Sequence, residues 1–471
     1  KVDGAVETII NVLRYFNIEF DEGAGFDDSD PRNAYGPYFQ RQRVEIYHSY
    51  AKSLVERGLA YPCFCTEEEL DKVRAKQEED KVLTGYYGEY ATCRNLSYEE
   101  VEANIKAGKP YVLRLRSQGS PDKEITFVDA IKGEIKLPEN IHDIVLLKKD
   151  GIPTYHFAHA IDDHLMRTTT VVRGGEWLAS APIHYELFHL LGFKMPAYAH
   201  TAHLMKFDEE TGGKRKLSKR KDPELSLDYY RKDGYHPYTM KVYLLTLLNS
   251  NFEEWHEKFP DKDINEFPFS VEKMNQSGAL FDKDKLHNIC KNELSKLSEE
   301  ELYDFLYDWA KENEPENVEK WFGDREKMLQ ILRLYMGVGA KRRRKDLMYA
   351  KQIFELISYF FDGESAEEMD EFKLDEDMVS KILKSYLAKY DHNDDNSVWF
   401  NKLKEIADEH GFASDMKAYK ANPENFKGNV SDIAEAVRIA VTGRANTPDL
   451  WTIVHIMGEE QMTERIKKHI K

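Results

Sequence analysis

The stretch TTTVVRGGEWLASAPIHYELFHLLGF, from Thr168 to Phe193, decides the fold class. Its first half is a short apolar strand that runs into Arg173, Gly174 and Gly175, and its second half has the apolar spacing of a helix. In a parallel α/β sheet, polar groups at the end of such a strand face the ligand crevice. The stretch therefore predicts an α/β fold with Arg173 at its binding crevice.

The segments around this unit predict an α/β front and an all-helical back. Residues 36–60 have the apolar spacing of a helix. Short alternating or β-branched runs between turn residues predict three further strands: 111–116, 125–131 and 143–149. After about Leu286 the strand signals disappear, and helical patterns follow: 300–313, 351–361 and 377–390.

Composition excludes several classes of protein. The 471 residues are too many for one compact core, so two to four domains are expected. With 67 basic and 85 acidic residues the formal net charge is −18, which is unsuited to a general nucleic-acid coat. The longest apolar run, Val242 to Leu248, is far shorter than the roughly 20 residues of a membrane span. Four cysteines cannot form a disulfide framework, so we expect a reduced, cytoplasmic protein with no membrane contact.

One basic loop stands out against this acidic background. The run KRKLSKRK, Lys214 to Lys221, has six basic residues in eight and follows Gly212 and Gly213. Lysines on a glycine-hinged loop can reach a polyphosphate and neutralise charge on a leaving group. On charge alone, a solvated basic loop is the more common explanation.

Five segments in one order resemble class I aminoacyl-tRNA synthetases, and among them the bacterial-type glutamyl-tRNA synthetases. KLSKR resembles the family's KMSKS signature in its glutamyl form. The five segments are GPYFQRQRVEIY (36–47), GIPTYHFAHAIDDHLM (151–166), VVRGGEWLASAPIHYELFHLLGF (171–193), KLSKR (216–220) and AVRIAVTGRANTPDLWTIVHIMGEE (436–460). Each motif alone is weak, but five in order over the whole chain are specific.

The resemblance implies a fold and a domain order. The fold is a Rossmann-type class I synthetase catalytic core of the α/β class with an inserted acceptor-binding α+β domain, followed by an all-α anticodon-binding region. The implied domains are the first part of the Rossmann domain (1–60), the acceptor-stem-binding insertion (61–154), the second part of the Rossmann domain (155–206), the KLSKR loop with a stem-contact region (207–297) and the helical anticodon-binding domain (298–471).

The resemblance also implies a reaction, which is the ligation of glutamate to tRNA. We expect a monomeric enzyme whose partners are L-glutamate, ATP with Mg²⁺, and tRNA-Glu. The α-carboxylate of glutamate attacks the α-phosphorus of ATP, and the terminal adenosine hydroxyl of the tRNA then attacks the acyl carbon. Both steps depend mainly on positioning and charge stabilisation. The basic cluster from Lys341 to Lys345 is a candidate tRNA-backbone contact, although a solvated helix end explains it equally well.

Individual site residues follow from the aligned motifs. Arg173 matches the arginine that grips the side-chain carboxylate of the substrate, for which a planar guanidinium is well suited. The other implied glutamate-site residues are Tyr155, His159 and Trp177. The implied ATP-site residues are Lys216, Ser218, Lys219, Arg220, Leu204 and Glu176, with Lys219 and Lys216 as the catalytic lysines. His159 stands where the family often has Asn, and Gly175 stands where an acidic residue is common.

The cysteines raise the question of a zinc site. Cys63 and Cys65 form a CxC pair, and Cys93 follows twenty-eight residues after Cys65. Many family members bind Zn²⁺ through such a set and a fourth ligand, because three thiolates and one further donor complete a tetrahedral structural site. We take Tyr90 as the fourth ligand, with Tyr86 and Tyr87 as competitors. Three unliganded buried cysteines are an equally good explanation.

Alternatives remain at the level of function. No HIGH-like string occurs in the sequence, although the family carries one on its first strand–helix turn, so we expect an N-terminal piece to be missing from the sequence. A non-catalytic tRNA-binding paralogue is therefore one alternative, and an enzyme that also charges tRNA-Gln is another. Glutaminyl-tRNA synthetases use β-barrels where this chain predicts helices. A relative that glutamylates a modified tRNA base lacks the anticodon domain.

The loop assignment generates the first prediction. Lys219→Ala should lower pyrophosphate exchange by roughly a hundredfold or more, because one preorganised charge donor is lost. Exchange is measured in the presence of tRNA. Unchanged exchange would contradict the assignment of this loop.

Overall fold

A computed structural model describes residues 4–24, 33–208, 210–218, 220–361 and 369–471. The chain divides into two compact units. One comprises Lys1–Asp222 and Leu244–Phe281, and the other comprises Pro223–Tyr243 and Asp282–Lys471. Within the described residues, no helix is both long and apolar enough to cross a membrane.

Ten strands form three sheets in the described part of the chain. The strands are β1 (Ala60–Cys63), β2 (Val112–Leu115), β3 (Glu124–Asp129), β4 (Gly133–Pro138), β5 (Val145–Leu147), β6 (Thr170–Gly174), β7 (Ala197–Thr201), β8 (Leu204–Phe207), β9 (Lys214–Lys216) and β10 (Ala279–Leu280). The strand orders are β4-β3-β7-β6, β1-β2-β5 and β10-β8-β9. The strands predicted from the sequence correspond to β2, β3, β5 and β6.

The helices are listed in chain order. Those up to residue 281 are α1 (Ala5–Tyr15), α2 (Val44–Glu56), α3 (Glu67–Asp80), α4 (Tyr98–Lys106), α5 (Tyr155–Leu165), α6 (Ala181–Leu191), α7 (Leu227–Asp233), α8 (Pro237–Leu248) and α9 (Phe252–Lys258). The later ones are α10 (Lys283–Leu294), α11 (Glu299–Asn313), α12 (Val318–Phe322), α13 (Arg325–Met336), α14 (Ala350–Ile357), α15 (Glu376–Lys389), α16 (Asn396–His410), α17 (Met416–Ala421), α18 (Val430–Thr442), α19 (Leu450–Met457) and α20 (Glu459–Lys467).

The four-stranded sheet is mixed and carries the unit that decides the fold. Strand β6 pairs with β7 in parallel, and β3 pairs with β7 in parallel and with β4 antiparallel. Alternate residues of β3 are buried, as expected for a strand with one face in a core. Phe127 of β3, Tyr198 of β7 and Ala181 of α6 share one buried cluster. The strand–helix unit therefore packs as the sequence predicts.

The carboxyl-terminal half contains helices but no strand among its described residues after Leu280. Their apolar faces form one continuous core, from Leu294 to Ile466. Helix α11 shows why the local sequence is helical, because Ser298 and Glu301 form a capping box at its start. The predicted all-helical back is confirmed.

The antiparallel sheet β1-β2-β5 is tied to its surroundings by Asp143, which is fully buried. The carboxylate of Asp143 accepts hydrogen bonds from the Tyr61 hydroxyl, the Arg94 guanidinium and the backbone N–H of Ser117. Arg114 donates to the backbone carbonyl of Asp143. A buried carboxylate with three donors stabilises the fold only while all of them remain in place.

Asp143 generates the second prediction. Asp143→Ala should lower the free energy of unfolding of its unit by about 3–5 kcal/mol, because the partly buried guanidinium of Arg94 loses its carboxylate partner and the Tyr61 hydroxyl and the Ser117 N–H lose their acceptor. Hydrogen-exchange mass spectrometry of β2 measures the loss of protection. The exposed Asp122, replaced in the same way, is the matched control, and equal protection in the two variants would contradict the role of Asp143.

Candidate active site

The carboxyl ends of three strands meet at one edge of the mixed sheet. Arg173 of β6 lies opposite His200 of β7, and Asp129 ends β3 opposite Tyr198 of β7. Parallel strands that point the same way bring their last side chains together. The sheet thereby places an arginine, a histidine and an aspartate side by side.

Gly175 lies close to the end of the neighbouring strand β7. A Cβ atom on Gly175 would lie 3.0 Å from the carbonyl oxygen of Thr201, at the end of the neighbouring strand. The Thr201 hydroxyl donates to the carbonyl oxygen of Arg173 at 3.2 Å. A side chain at position 175 would therefore require a shift of a few tenths of an ångström at these strand ends.

Arg173 is held by imidazoles and aromatic rings. Its Nε donates to Nε2 of His200 at 3.0 Å, and its Nη2 lies 3.1 Å from Nδ1 of His184. Its guanidinium carbon lies 4.8 Å from the ring centroid of Tyr198, within the range of a cation–π contact. The third nitrogen, Nη1, is buried and has no hydrogen-bond partner among the described residues.

His200 in turn is held by Asp129. Its Nδ1 lies 2.6 Å from Oδ2 of Asp129, and both side chains are buried. Burial opposes ionisation of Asp129, but hydrogen bonds from His200 and from the backbone N–H groups of Lys132 and Ile131 lower the pKa of its carboxyl. Burial lowers the pKa of the His200 imidazole, although Asp129 opposes this shift. The pair therefore consists of a carboxylate and a neutral imidazole.

The other residues expected at the glutamate site surround this arginine. The rings of Tyr155 and Trp177 have centroids 4.4 Å apart, and the ring of Tyr155 also stacks on His159. His159 places Nε2 2.8 Å from the hydroxyl of Tyr198 and Nδ1 2.6 Å from a carboxylate oxygen of Asp163. Tyr155 is 44% exposed, so its face is open to a ligand. The structure brings all four residues of the predicted glutamate site together.

Two of the expected ATP-site residues are linked through a histidine. Glu176 has a carboxylate oxygen 3.4 Å from Nδ1 of His203, and Nζ of Lys216 lies 3.5 Å from Nε2 of the same ring. The backbone carbonyl of Leu204 accepts a hydrogen bond from the N–H of Leu217 at 3.0 Å. This contact joins the start of β8 to the residue that follows β9.

The KLSKR loop is organised by Asp222. Arg215 donates to both carboxylate oxygens of Asp222 at 2.7 Å, and the N–H of Ser218 donates at 2.8 Å. Nζ of Lys206 lies 3.2 Å from the same carboxylate. Hydrogen bonds from Arg215 hold the pKa of Asp222 well below its usual range, despite its burial. One carboxylate therefore fixes the base of the basic loop.

The structure describes Arg220 of the loop but not Lys219. The side chain of Arg220 is exposed. Lys219 lies outside the described residues. Its expected role therefore remains a prediction from the sequence.

The three cysteines of the predicted zinc site form a cluster. The sulfur atoms of Cys63, Cys65 and Cys93 all lie within 4.8 Å of one another. The hydroxyl of Tyr86 lies 3.4 Å from the sulfur of Cys63 and 3.3 Å from that of Cys65. It also accepts a hydrogen bond from the N–H of Cys93.

The structure gives Tyr90, which we took as the fourth ligand, a partner outside the cysteine cluster. The Tyr90 hydroxyl donates to Asp80 at 3.2 Å, on the exposed side of helix α3. Tyr86 is 7% exposed and points into the cluster. Tyr90 ends a short 3-10 turn, Gly88–Tyr90.

Several site residues escaped the sequence analysis. His184 contacts Arg173, and the pair of His200 and Asp129 lies behind the same arginine. His203 lies between Glu176 and Lys216, and Asp222 binds the base of the KLSKR loop. Asp129 and His200 carried a usable signal, since each lies at the end of a strand in the same sheet as Arg173. His184 and Asp222 carried no such signal, because their roles depend on tertiary contacts.

Two known families match this chain. The family described as tRNA synthetases class I (E and Q), catalytic domain, matches residues 1–288. The family described as Anticodon binding domain matches residues 301–470. The first match covers the mixed sheet and the basic loop, and the second covers most of the helical half.

Curated relatives and a solved structure agree with these families. A glutamate–tRNA ligase of Acetivibrio thermocellus is 53% identical over 470 residues, which cover 99% of this chain and 85% of the relative. One from Clostridium perfringens strain SM101 is 46% identical over 475 residues, covering 100% of this chain and 85% of the relative. The crystal structure of a glutamate tRNA ligase from Elizabethkingia meningosepticum, in complex with its amino acid, superposes with a TM-score of 0.72 at 26% identity. It covers 99% of this chain and 89% of that one. The chain therefore belongs to the class I tRNA synthetases of the glutamate and glutamine group, and within that group to the family of glutamate–tRNA ligases.

Proposed function

We propose that this chain is a glutamate–tRNA ligase that activates L-glutamate with ATP and transfers it to the 3′ end of tRNA-Glu. The observation that carries the proposal is Arg173, a guanidinium at the strand ends with no carboxylate partner among the described residues. Such a group needs an anion, and the side-chain carboxylate of glutamate supplies one. We further propose that the enzyme works as a monomer in the cytoplasm, where thiols stay reduced.

The neighbours of Arg173 would shape the amino acid site. Tyr155 and Trp177 form an aromatic wall that covers the aliphatic part of a glutamate side chain. His159 stands behind Tyr155 and is itself held by Asp163 and Tyr198. These contacts fix the rings before a substrate arrives, and preorganisation of this kind favours a single bound orientation.

The first chemical step is displacement at phosphorus. An oxygen of the α-carboxylate of glutamate forms a bond to the α-phosphorus of ATP, and the bond to the bridging oxygen of pyrophosphate breaks. The products are glutamyl-adenylate and pyrophosphate. Lys216, Lys219 and Arg220 would neutralise the leaving pyrophosphate, with Mg²⁺ bound to the nucleotide sharing its charge. The backbone of Ser218 is held in place by Asp222, and this contact preorganises the loop.

Other residues would bind the nucleoside part of ATP. By the match to the family motifs, the backbone at Leu204 holds the adenine and Glu176 lies beside the site. The link from Glu176 through His203 to Lys216 supports a common nucleotide site, because it connects the strand end to the loop. In the second step the terminal adenosine hydroxyl of the tRNA attacks the acyl carbon and releases AMP.

The domain assignment supports binding of a whole tRNA. We propose the five ranges derived from the sequence, with 61–154 as the acceptor-stem-binding insertion and 298–471 as the anticodon-binding domain. The side chains of Lys341, Arg342 and Arg343 are exposed, which suits contact with phosphates rather than a structural role.

We also propose a structural zinc ion at the cysteine cluster. Three sulfur donors within 4.8 Å of one another suit a tetrahedral site, and the hydroxyl of Tyr86 is the nearest candidate for a fourth ligand. Burial, followed by hydrogen bonding to Cys63, raises the pKa of the Tyr86 phenol, so the ring needs a nearby cation to ionise. The ion would fix residues 61–93 and would take no part in the reaction.

Replacement of Arg173 generates the third prediction. Arg173→Gln should raise the KM for glutamate by about a hundredfold, because a carboxylate loses its charged partner, and should leave the KM for ATP within about twofold. Pyrophosphate exchange in the presence of tRNA measures both constants. An equal loss for glutamate and ATP would mean that Arg173 has a structural role.

An arginine with a different set of contacts provides the control for this experiment. Arg116 directly follows strand β2, and its guanidinium lies 5.0 Å from the ring centroid of Tyr61. Arg116→Gln also removes one positive charge but lies outside the proposed site. It should leave the KM for glutamate within about twofold.

The cysteine cluster generates the fourth prediction. Elemental analysis of the purified protein should find close to one zinc ion per chain, since four donors hold one tetrahedral ion. Cys93→Ser and Tyr86→Phe should each lower the zinc content, the cysteine variant more strongly. A metal-free protein of normal stability would contradict the zinc proposal.

Two matched variants separate the ligands from their neighbours. Tyr90→Phe should keep full zinc content, because the Tyr90 hydroxyl contacts Asp80 instead of the cluster. Cys290→Ser should also keep it, because Cys290 is buried on α10 and contacts the Thr239 hydroxyl. Zinc loss in Tyr90→Phe, with none in Tyr86→Phe, would restore Tyr90 as the ligand.

A further inference from the structure

The partners of Arg173 within the described fold are imidazoles, and their protonation states follow from the geometry. A guanidinium stays charged and only donates hydrogen bonds. Nε2 of His200 and Nδ1 of His184, which face it at 3.0 and 3.1 Å, must therefore carry lone pairs. Neither imidazole can hold a second proton while it accepts a hydrogen bond from Arg173.

The proton of His200 is fixed by Asp129. The carboxylate of Asp129 can only accept, so Nδ1 of His200 donates to it across 2.6 Å. The remaining lone pairs of Asp129 accept from the backbone N–H groups of Ile131, Lys132 and His200. Asp129 therefore orients a neutral His200 so that its Nε2 accepts from Arg173.

The proton of His184 is fixed on the opposite side. Because Nδ1 of His184 accepts from Arg173, the neutral ring carries its proton on Nε2. Nε2 of His184 then donates a hydrogen bond to Nδ1 of His156 across 2.9 Å. Burial, together with the neighbouring groups of His159 and Arg173, lowers the pKa of His184.

Among the described residues, no carboxylate contacts the guanidinium of Arg173 directly. The nearby carboxylates of Asp129 and Asp163 each contact a histidine ring instead of the guanidinium. None of the ion pairs among the described residues includes Arg173, and its buried Nη1 has no partner. A charge in this position is stabilised when an anion binds and is left unpaired when a neutral group binds.

We propose that His184, His200 and Asp129 are positioning residues that make the amino acid site select a side-chain carboxylate over an amide. The two imidazoles orient the guanidinium through neutral acceptors, and Asp129 fixes the tautomer of His200. This inference rests on the proposed function, because it takes Arg173 as the group that binds the glutamate side chain.

The choice of imidazole instead of carboxylate is the essential point. A Glu or Asp side chain at either position would also orient Arg173, but it would form an internal ion pair with it. The substrate carboxylate would then compete with that internal partner, and glutamine would no longer leave the half-buried charge of Arg173 unpaired. Discrimination between the two amino acids therefore depends on the neutrality of the partners.

Substitutions at His184 in the full-length protein test this inference. His184→Gln keeps a neutral acceptor and His184→Glu replaces it with a carboxylate of nearly the same size. The exposed His189 lies on the same helix, and His189→Gln is the control. The KM for glutamate, the KM for ATP and kcat/KM for glutamate and for glutamine are measured by pyrophosphate exchange in the presence of tRNA.

The expected results differ between the two variants. His184→Gln should keep the KM for glutamate within about threefold of the wild type and preserve the preference for glutamate over glutamine. His184→Glu should raise the KM for glutamate at least about tenfold and lower the ratio of kcat/KM values for the two amino acids by a similar factor. The KM for ATP should stay within about twofold in both variants. Equal effects of the two substitutions, with an unchanged ratio, would overturn the inference.

A second variant covers the case in which His184→Glu does not fold, as judged by circular dichroism. Asp129→Asn is nearly isosteric, but its amide can donate to Nδ1 of His200 and reverse the tautomer. It should raise the KM for glutamate about tenfold or more and lower the amino acid preference, with the KM for ATP unchanged. Wild-type values for both quantities in Asp129→Asn would overturn the inference.

The wild-type protein distinguishes failure of this inference from failure of the proposed function. If the wild-type protein does not exchange pyrophosphate with glutamate, the proposed function itself is wrong. If the wild type is active and His184→Glu retains its preference for glutamate, only the positioning role is wrong.

Discussion

Parallel strands that end at one edge of a sheet bring their last side chains into contact, and the amino acid site depends on this constraint. Arg173, His200 and Asp129 come from β6, β7 and β3, and the pairing of these strands alone sets them side by side. The helical turn after Gly175 then carries Trp177 toward Tyr155 on helix α5. Because a Cβ at Gly175 would lie 3.0 Å from the carbonyl oxygen of Thr201, the glycine is part of what keeps the strand ends together.

The basic loop also depends on one buried charged residue. A single buried carboxylate, Asp222, holds Arg215, Lys206 and the backbone of Ser218. The remaining basic groups of the loop are thereby presented on a fixed base. At the amino acid site the fold does the opposite, since it surrounds Arg173 with neutral acceptors. Arg215 is thus paired with a carboxylate inside the fold, whereas Arg173 has only neutral acceptors, which suits the anion-binding role that we propose for it.

The sequence predicted the parts of the site that lie within continuous motifs. Arg173 and Trp177 follow from one strand–helix segment, and Tyr155 and His159 follow from another. The role of His184 was not predicted, although it lies in the same strand–helix segment, because its contact with Arg173 depends on the distance between α6 and β6 in the folded protein. For a related reason, spacing along the chain does not reveal which tyrosine faces the cysteine cluster. The Tyr90 hydroxyl contacts Asp80, and the Tyr86 hydroxyl lies beside two of the cysteine sulfur atoms. The α/β front and the helical back were predicted because apolar periodicity reports local structure directly.

The partial burial of Arg173 has a consequence for how the two substrates respond to ionic strength. Mobile ions screen exposed charges over about 8 Å at physiological concentration, but they screen buried pairs far less. The proposed contact between Arg173 and a carboxylate should therefore depend less on added salt than a contact between exposed charges. The proposed contacts between phosphates and the exposed side chains of Lys341, Arg342 and Arg343 would release counterions, so they should weaken steeply as salt is added. Raising the salt concentration should separate the two proposed recognition events, because the tRNA would dissociate at salt concentrations where the amino acid site still binds glutamate.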